Sequence, residues 1–210
     1  HLMVTRHLFR LSPPEIHRGL RPVCAIAPGV LGTTGMETAE IIQGIVSKVK
    51  PDVVIVVDAL ASMSTMRVST TIQIGDTGIQ PGSGVGSRRF GITKDSLGVP
   101  VLAVGVPTVV DAITIVADAM DIMAQSITEG VQEGDDIPGN KNRRVNAKDL
   151  DSPMKRKLIR QVLSPYMGSM IVTPKEIDAM IEDIARVVAG GLNVALHPGV
   201  DLEDVETYLQ

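Results

Sequence analysis

The sequence predicts an α/β protein, a doubly wound sandwich in which helices cover both faces of a mostly parallel sheet. Two apolar runs, residues 53–58 and 99–106, are typical of parallel strands buried on both faces. Helical patterns lie between the strand-like runs at the spacing of βαβ units. A length of 210 residues suits one hydrophobic core, so we expect a single domain, 1–210.

The first half of the chain contains two predicted strands and one predicted helix. Residues 22–27 form a short apolar run that predicts a strand. Residues 34–50 follow the helical period, and Thr34 with Glu37 predicts a capping box at the start of this helix. Residues 53–58 are the second strand, which ends at an acid.

The middle of the chain continues the alternation. Residues 70–75 alternate apolar and polar side chains, as a half-exposed strand does. The strand at 99–106 precedes a long amphipathic helix, 109–127, for which Thr108 and Asp111 are the predicted caps.

The last third of the chain begins with a polar stretch, 129–153, which we expect to be an exposed loop or disordered excursion. A helix, a short strand and a final helix then follow at 153–163, 169–173 and 173–196. Thr173 and Glu176 predict the start of the last helix, and Gly190–Gly191 predicts its end or a bend.

Composition excludes several classes of function. The net charge of −4 and the 2% aromatic content argue against a nucleic-acid partner. No apolar run reaches the roughly 18 residues needed to cross a membrane, so no membrane partner is expected. Cys24 is the only cysteine, which excludes an internal disulfide and predicts a core residue on its strand. The four histidines form no close ligand pair, so neither a metal nor another cofactor is expected.

Asp58 is the candidate catalytic residue. It follows five apolar residues, and ligands in open α/β sheets gather at the carboxyl ends of parallel strands. An ionised carboxylate there is costly to bury without a partner, which favours a catalytic or metal-binding role. The alternative is that Asp58 caps the turn that follows.

The glycine-rich loop at 76–89 is the second candidate region. It matches neither the phosphate-binding loop nor the dinucleotide fingerprint, which needs a helix after its glycines. We therefore expect Gly82 and Gly84 to admit a polypeptide backbone, with nucleotide binding as an alternative. Arg88 and Arg89 either attract acidic substrate side chains or are solvated surface residues.

Long blocks of the sequence resemble the germination protease family of spore-forming bacteria. The resemblance covers almost the whole chain except 129–153. It implies an endopeptidase that initiates degradation of small acid-soluble spore proteins in the cytoplasm of the spore core, cutting after acidic residues. It also implies a zymogen, a homotetramer when intact, and a fold similar to hydrogenase-maturation proteases. The blocks include "VTRHLF", "RPVCAIAPGVLGTTGMET", "PDVVIVVDALAS", "RVSTTIQIGDTGIQPGSGVG" and "VTPKEIDAMIEDIA".

The resemblance also implies an aspartic-type mechanism with two essential aspartates. One matches Asp58 in "DALA", and the other belongs to a segment upstream of residue 1. We therefore expect the chain to be N-terminally truncated and inactive by itself. Arg67, with the arginines and glycines of the following loop, is expected to bind substrate. The sequence departs from the family at Met63 and Phe90, where relatives often carry basic residues, and this weakens the expected preference for acidic substrates.

Two other functions remain open at this point. A metal-assisted maturation-type protease would use Asp58 as a metal ligand. A non-enzymatic nucleotide-binding or assembly module would instead bind phosphate at residues 82–86.

Overall fold

The computed structural model describes residues 1–82, 90–130, 152–167 and 170–204. The chain divides into two compact units. The first contains His1–Asp52, Phe90–Val99 and the segment that starts at Glu176, and the second contains the described parts of Val53–Arg89 and Pro100–Lys175. That the whole chain forms one domain stays a prediction.

The second unit contains a four-stranded sheet. The strands are β1 Val54–Ser62, β2 Gln73–Gly75, β3 Val101–Asp111 and β4 Ile171–Val172. The central strand is β3, and the order is β1-β3-β2, with β4 also pairing with β3.

The sheet is mixed, which corrects the expectation of a mostly parallel one. β1 runs parallel to β3, from Val54 opposite Val101 to Ser62 opposite Val110, with a register shift after Leu60. β2 and β4 both run antiparallel to β3. A short loop joins β1 to β2, and only a longer crossover could have returned the chain in parallel. The α/β class is confirmed.

The second unit also contains two long helices, α5 (Ala112–Gly130) and α6 (Ser152–Met167). Asp111 caps α5, since its Oδ1 accepts from the Ile113 N–H at 2.7 Å. The predicted cap at Thr108 is wrong, because Thr108 lies inside β3. Ile113 and Ala117 of α5 pack against Ile159 of α6 to form the core of this pair.

The ends of the predicted polar loop 129–153 belong to α5 and α6, and residues 131–151 lie outside the described residues. Among the described helices, none has the length and apolar character required to cross a bilayer.

The first unit contains the remaining helices. Helix α3 (Thr38–Val49) carries the predicted apolar face. Its capping box joins Glu37 and Glu40, three residues later than the predicted Thr34 and Glu37. The reason is Gly35, whose left-handed backbone (φ 70°) ends a separate short helix at Thr34. The helices are α1 Leu8–Leu11, α2 Leu31–Thr34, α3 Thr38–Val49, α4 Lys94–Leu97 and α7 Ile177–Leu196.

The predicted strand at 22–27 is wrong. Its one close backbone partner is the segment at Thr5 and Arg6, whose N–H groups both donate to the Val23 carbonyl at 2.9 and 2.8 Å. This contact does not extend into a ladder, and Cys24 is exposed instead of lying in a core.

Helix α7 begins at Ile177, not at the predicted Thr173, and continues through Gly190–Gly191 to Leu196. Its buried Asn193 holds the start of the chain, donating to the His1 carbonyl and accepting from the Met3 N–H, both at 2.9 Å. These two bonds satisfy a side chain that is fully buried.

Candidate functional site

Asp58 lies at the centre of β1, and the prediction that the strand ends there is wrong. β1 continues for four more residues to Ser62, and Asp58 faces Gly105 of β3. The side chain of Asp58 is half-buried. Because the carboxylate keeps contact with solvent, the strand can continue past it without burying an unpaired charge.

One oxygen of the Asp58 carboxylate is occupied by a local contact. Its Oδ1 accepts a hydrogen bond from the Ala59 N–H at 2.9 Å. Within the described part of the chain, no other hydrogen bond and no ion pair to Asp58 is found. The second oxygen is therefore available to a water molecule or to a proton shared with another acid.

Three residues form a row across the sheet on the face that carries Asp58. Gly105 faces Asp58 on one side and Gln73 on the other, so all three point to the same face. Leu60, two residues after Asp58, lies over Gly105, where an added Cβ would overlap its Cδ1 and lie 2.7 Å from its Cγ. Gln73 is exposed. Gln73 was not among the residues predicted from the sequence, although it occupies a polar position in the alternating run 70–75.

The turn after β1 is held by a second acid, Asp118 of α5. Its Oδ2 accepts from the Thr65 N–H and the Thr65 hydroxyl, both at 2.8 Å, and from the Ser64 hydroxyl at 3.4 Å. Burial by itself raises the pKa of Asp118, but these hydrogen bonds and the charge of Arg156 outweigh burial and lower the pKa below its ordinary value. Asp118 is thus ionised, and its hydrogen bonds hold the turn Thr65–Arg67 in place.

Ser69, in the loop between β1 and β2, departs from ordinary backbone and hydrogen-bonding rules. Its φ of 55° is in the left-handed region that side chains other than Gly and Asn seldom adopt. Its hydroxyl is buried without a hydrogen-bond partner in the described structure, while its N–H donates to the Pro107 carbonyl at 2.6 Å. Strain and an unsatisfied polar group of this kind cluster near functional sites.

The predicted substrate residues are only partly accounted for. Arg67 is exposed on the turn that follows the carboxyl end of β1. Gly82 has the left-handed φ of 75° that glycine permits. β2 runs antiparallel to β3, so the loop toward Gly82 leaves the sheet at the end opposite to Arg67. Gly84, Arg88 and Arg89 lie outside the described residues.

The residues that the structure describes contain no group of three or more His, Cys, Asp or Glu side chains able to hold a metal ion. Asp58 therefore belongs to no such group among the described residues. What the arrangement offers chemically is a partly exposed carboxylate, with a glutamine amide two strands away on the same face of the sheet.

Comparison with known proteins identifies one family. The sequence profile described as germination protease matches residues 1–142 and 131–209. The germination protease of Clostridium tetani is 48% identical over 208 residues, which are 99% of this chain and 62% of that protein. The germination proteases of Clostridium acetobutylicum (49% identical, 62% of its length) and Bacillus mycoides (46%, 63% of its length) are similar over the same share of this chain. The chain thus spans less than two thirds of these relatives.

Proposed function

The chain belongs to the germination protease family, and on this premise we propose that the whole protein is an endopeptidase that initiates the degradation of small acid-soluble spore proteins. The observation that carries the proposal is Asp58, a half-buried carboxylate with one oxygen available, centred on a strand of the family's "DALA" motif. The proposed setting is the spore core, where a zymogen matures and the intact protein is a homotetramer. The proposed complete fold is the doubly wound sandwich that resembles hydrogenase-maturation proteases.

The proposed mechanism needs a second aspartate, supplied from outside residues 1–210. Two carboxylates that share a cleft cannot both ionise easily, so they share one proton. The ionised member removes a proton from water, which attacks the peptide carbonyl, while the protonated member donates a hydrogen bond to the carbonyl oxygen. The titration belongs to the pair, so neither role is assigned to Asp58 alone.

The proposed substrate contacts are the residues that the sequence predicted, together with Gln73. The exposed Arg67, with Arg88 and Arg89, attracts the acidic side chain that precedes the scissile bond. Gly82 and Gly84 let the substrate backbone approach closely. Gln73, two strands away on the same face as Asp58, is suited to hydrogen-bond a peptide group of an extended substrate.

The proposal is tested by comparing the whole protein with the 210-residue chain. Each is incubated with a purified small acid-soluble spore protein, and the fragments are mapped by mass spectrometry. We expect the whole protein to cut after acidic residues and the 210-residue chain to release no fragments, because it lacks the second carboxylate.

Two outcomes would contradict the proposal. Efficient cleavage by the 210-residue chain would show that Asp58 needs no partner from elsewhere. If a chelator abolished the whole protein's activity and a divalent metal restored it, the mechanism would be metal-assisted hydrolysis and not catalysis by an aspartate pair. An unrelated basic protein of similar size serves as the substrate control.

A further inference from the structure

A cavity of about 290 Å³ lies in the first unit, formed by the start of the chain and the segment after residue 22. Val4, Val23 and Ala25 give it apolar walls, and Cys24 opens onto it. The polar lining consists of three cationic or titratable side chains, Arg6, His7 and Arg10. The volume lies near the lower limit of about 300 Å³ for small-molecule pockets, so the cavity suits a small ligand.

The charged side chains that line this cavity are all basic. No Asp or Glu lines it, and in the described structure neither Arg6 nor Arg10 makes an ion pair. Arg6 is half-buried, so its guanidinium is partly removed from water without a carboxylate to compensate. Residues 1–25 carry four arginines and a single acid, Glu15, in a chain whose net charge is −4.

The backbone of Arg6 is fixed at the cavity by hydrogen bonds between the two segments that form it. The Arg6 N–H donates to the Val23 carbonyl at 2.8 Å, which fixes the Arg6 backbone beside the opposite wall. The Thr5 hydroxyl accepts from the Val23 N–H at 3.0 Å and ties the same two segments together. Arg6 therefore sits on a preorganised backbone, which lowers the entropic cost of binding.

We propose that this cavity binds a small oxyanion, a phosphate or a carboxylate, through the guanidinium groups of Arg6 and Arg10. Planar guanidinium groups bind such oxygens through paired charge-assisted hydrogen bonds. Arg6 and Arg10 both line the cavity, so an anion bound there could interact with both charges. The apolar side chains opposite favour an anion attached to a small apolar body. This site belongs to the first unit, whereas Asp58 belongs to the sheet unit, and the inference does not depend on the proposed peptidase activity.

Because Cys24 is the only cysteine of the chain and lines the cavity, the reactivity of its thiol reports on this site. Cys24 is exposed and lines the cavity, so a bound anion should shield its thiol from the neutral reagent iodoacetamide. The alkylation rate of Cys24 is measured in the 210-residue chain at constant ionic strength, with increasing inorganic phosphate in one series and glutarate in the other. We expect the rate to fall along a saturable curve, and the series with the lower half-saturation concentration identifies the preferred oxyanion.

Matched variants separate binding from general effects. Arg6→Gln and Arg10→Gln should each raise the half-saturation concentration about tenfold, the loss expected for one charge-assisted hydrogen bond. Arg186→Gln is the control, because Arg186 lies on the exposed surface of α7 and pairs with Asp183. Arg6→Lys keeps the charge and should weaken binding less than Arg6→Gln does.

The proposal is overturned by an alkylation rate that does not respond to either anion. It is equally overturned by saturation that persists unchanged in both arginine-to-glutamine variants, since the anion would then act elsewhere. Circular dichroism of each variant shows whether the unit is folded, and if Arg6→Gln unfolds it, the exposed Arg10 provides the decisive comparison.

Discussion

At the scale of single residues, two aspartates of one unit have opposite surroundings. Asp118 accepts three hydrogen bonds at one oxygen and holds the turn Thr65–Arg67. Asp58 accepts one hydrogen bond, from the residue that follows it. A carboxylate with many donors is stabilised as an anion and serves structure, whereas one with a free oxygen can exchange a proton during a reaction. This contrast supports the proposed catalytic role of Asp58, whereas the hydrogen bonds of Asp118 position the turn.

The lowered pKa of Asp118 predicts a pH-dependent contribution to stability. The folded-state pKa is below the ordinary value of 3.8, so the contribution is fully present above pH 3.8 and is lost as the pH falls through the folded-state pKa. Asp118→Asn should lower the free energy of unfolding at neutral pH by about 1.5–3 kcal/mol, the range for hydrogen bonds to charged groups. Urea titrations of both proteins at several pH values measure the difference.

The control for this prediction is Asp76→Asn, at an exposed acid of the same unit. It should change the free energy of unfolding little at any pH. A deficit in Asp118→Asn that stays constant down to pH values well below 3.8 would show that the carboxylate charge does not contribute.

At the scale of elements, the apolar runs and periods of the sequence predicted which kinds of element occur, but not how far they extend. β1, β3, α5 and α6 are all near their predicted positions, because long apolar or periodic runs leave few alternatives. The direction of β2 was not predictable, since alternation over three residues carries no information about its partner. The cap of α3 was misplaced because Thr34 with Glu37 matches the usual box pattern, whereas the observed box starts at Glu37, which is not a usual N-cap residue. The left-handed Gly35 separates Thr34 from α3.

The candidate site was predictable to a similar degree. Asp58 followed from its position after an apolar run. Gln73 and Ser69 did not, because their importance arises from strand pairing and from backbone strain, neither of which has a residue signature.

The close packing of β1 on β3 predicts the effect of adding one methyl group. Gly105→Ala places a Cβ against the Leu60 side chain, which must rotate on the face that carries Asp58. We expect a loss of about 1–3 kcal/mol in the free energy of unfolding, as for other overpacked sites. Chemical denaturation of the 210-residue chain measures it.

Gly75→Ala is the matched control for the packing prediction. Gly75 also lies in a strand paired with β3, but nothing lies within 4 Å of an added Cβ there. Equal losses in the two variants would contradict the packing argument and indicate a general effect of replacing glycine in a strand.

At the scale of the whole molecule, the resemblance to the family extends over both compact units. The sequence blocks that carried the resemblance fall in both units, from "VTRHLF" in the first to "DALA" in the second. The sequence therefore identified the family from the order of its blocks, independently of any error in placing strands or caps. The cationic cavity lies in the first unit, where no sequence motif had indicated a site.

We propose that Asp58 is one of the two carboxylates that act in peptide hydrolysis, and the most direct test is Asp58→Asn in the whole protein. Asn keeps the shape of the side chain and its hydrogen bond from Ala59 but cannot ionise. We expect the cleavage rate of a small acid-soluble spore protein to fall at least about a thousandfold while the urea midpoint of unfolding is unchanged. Asp52→Asn, at an exposed acid six residues earlier, should keep full activity. Wild-type cleavage by Asp58→Asn would contradict the account.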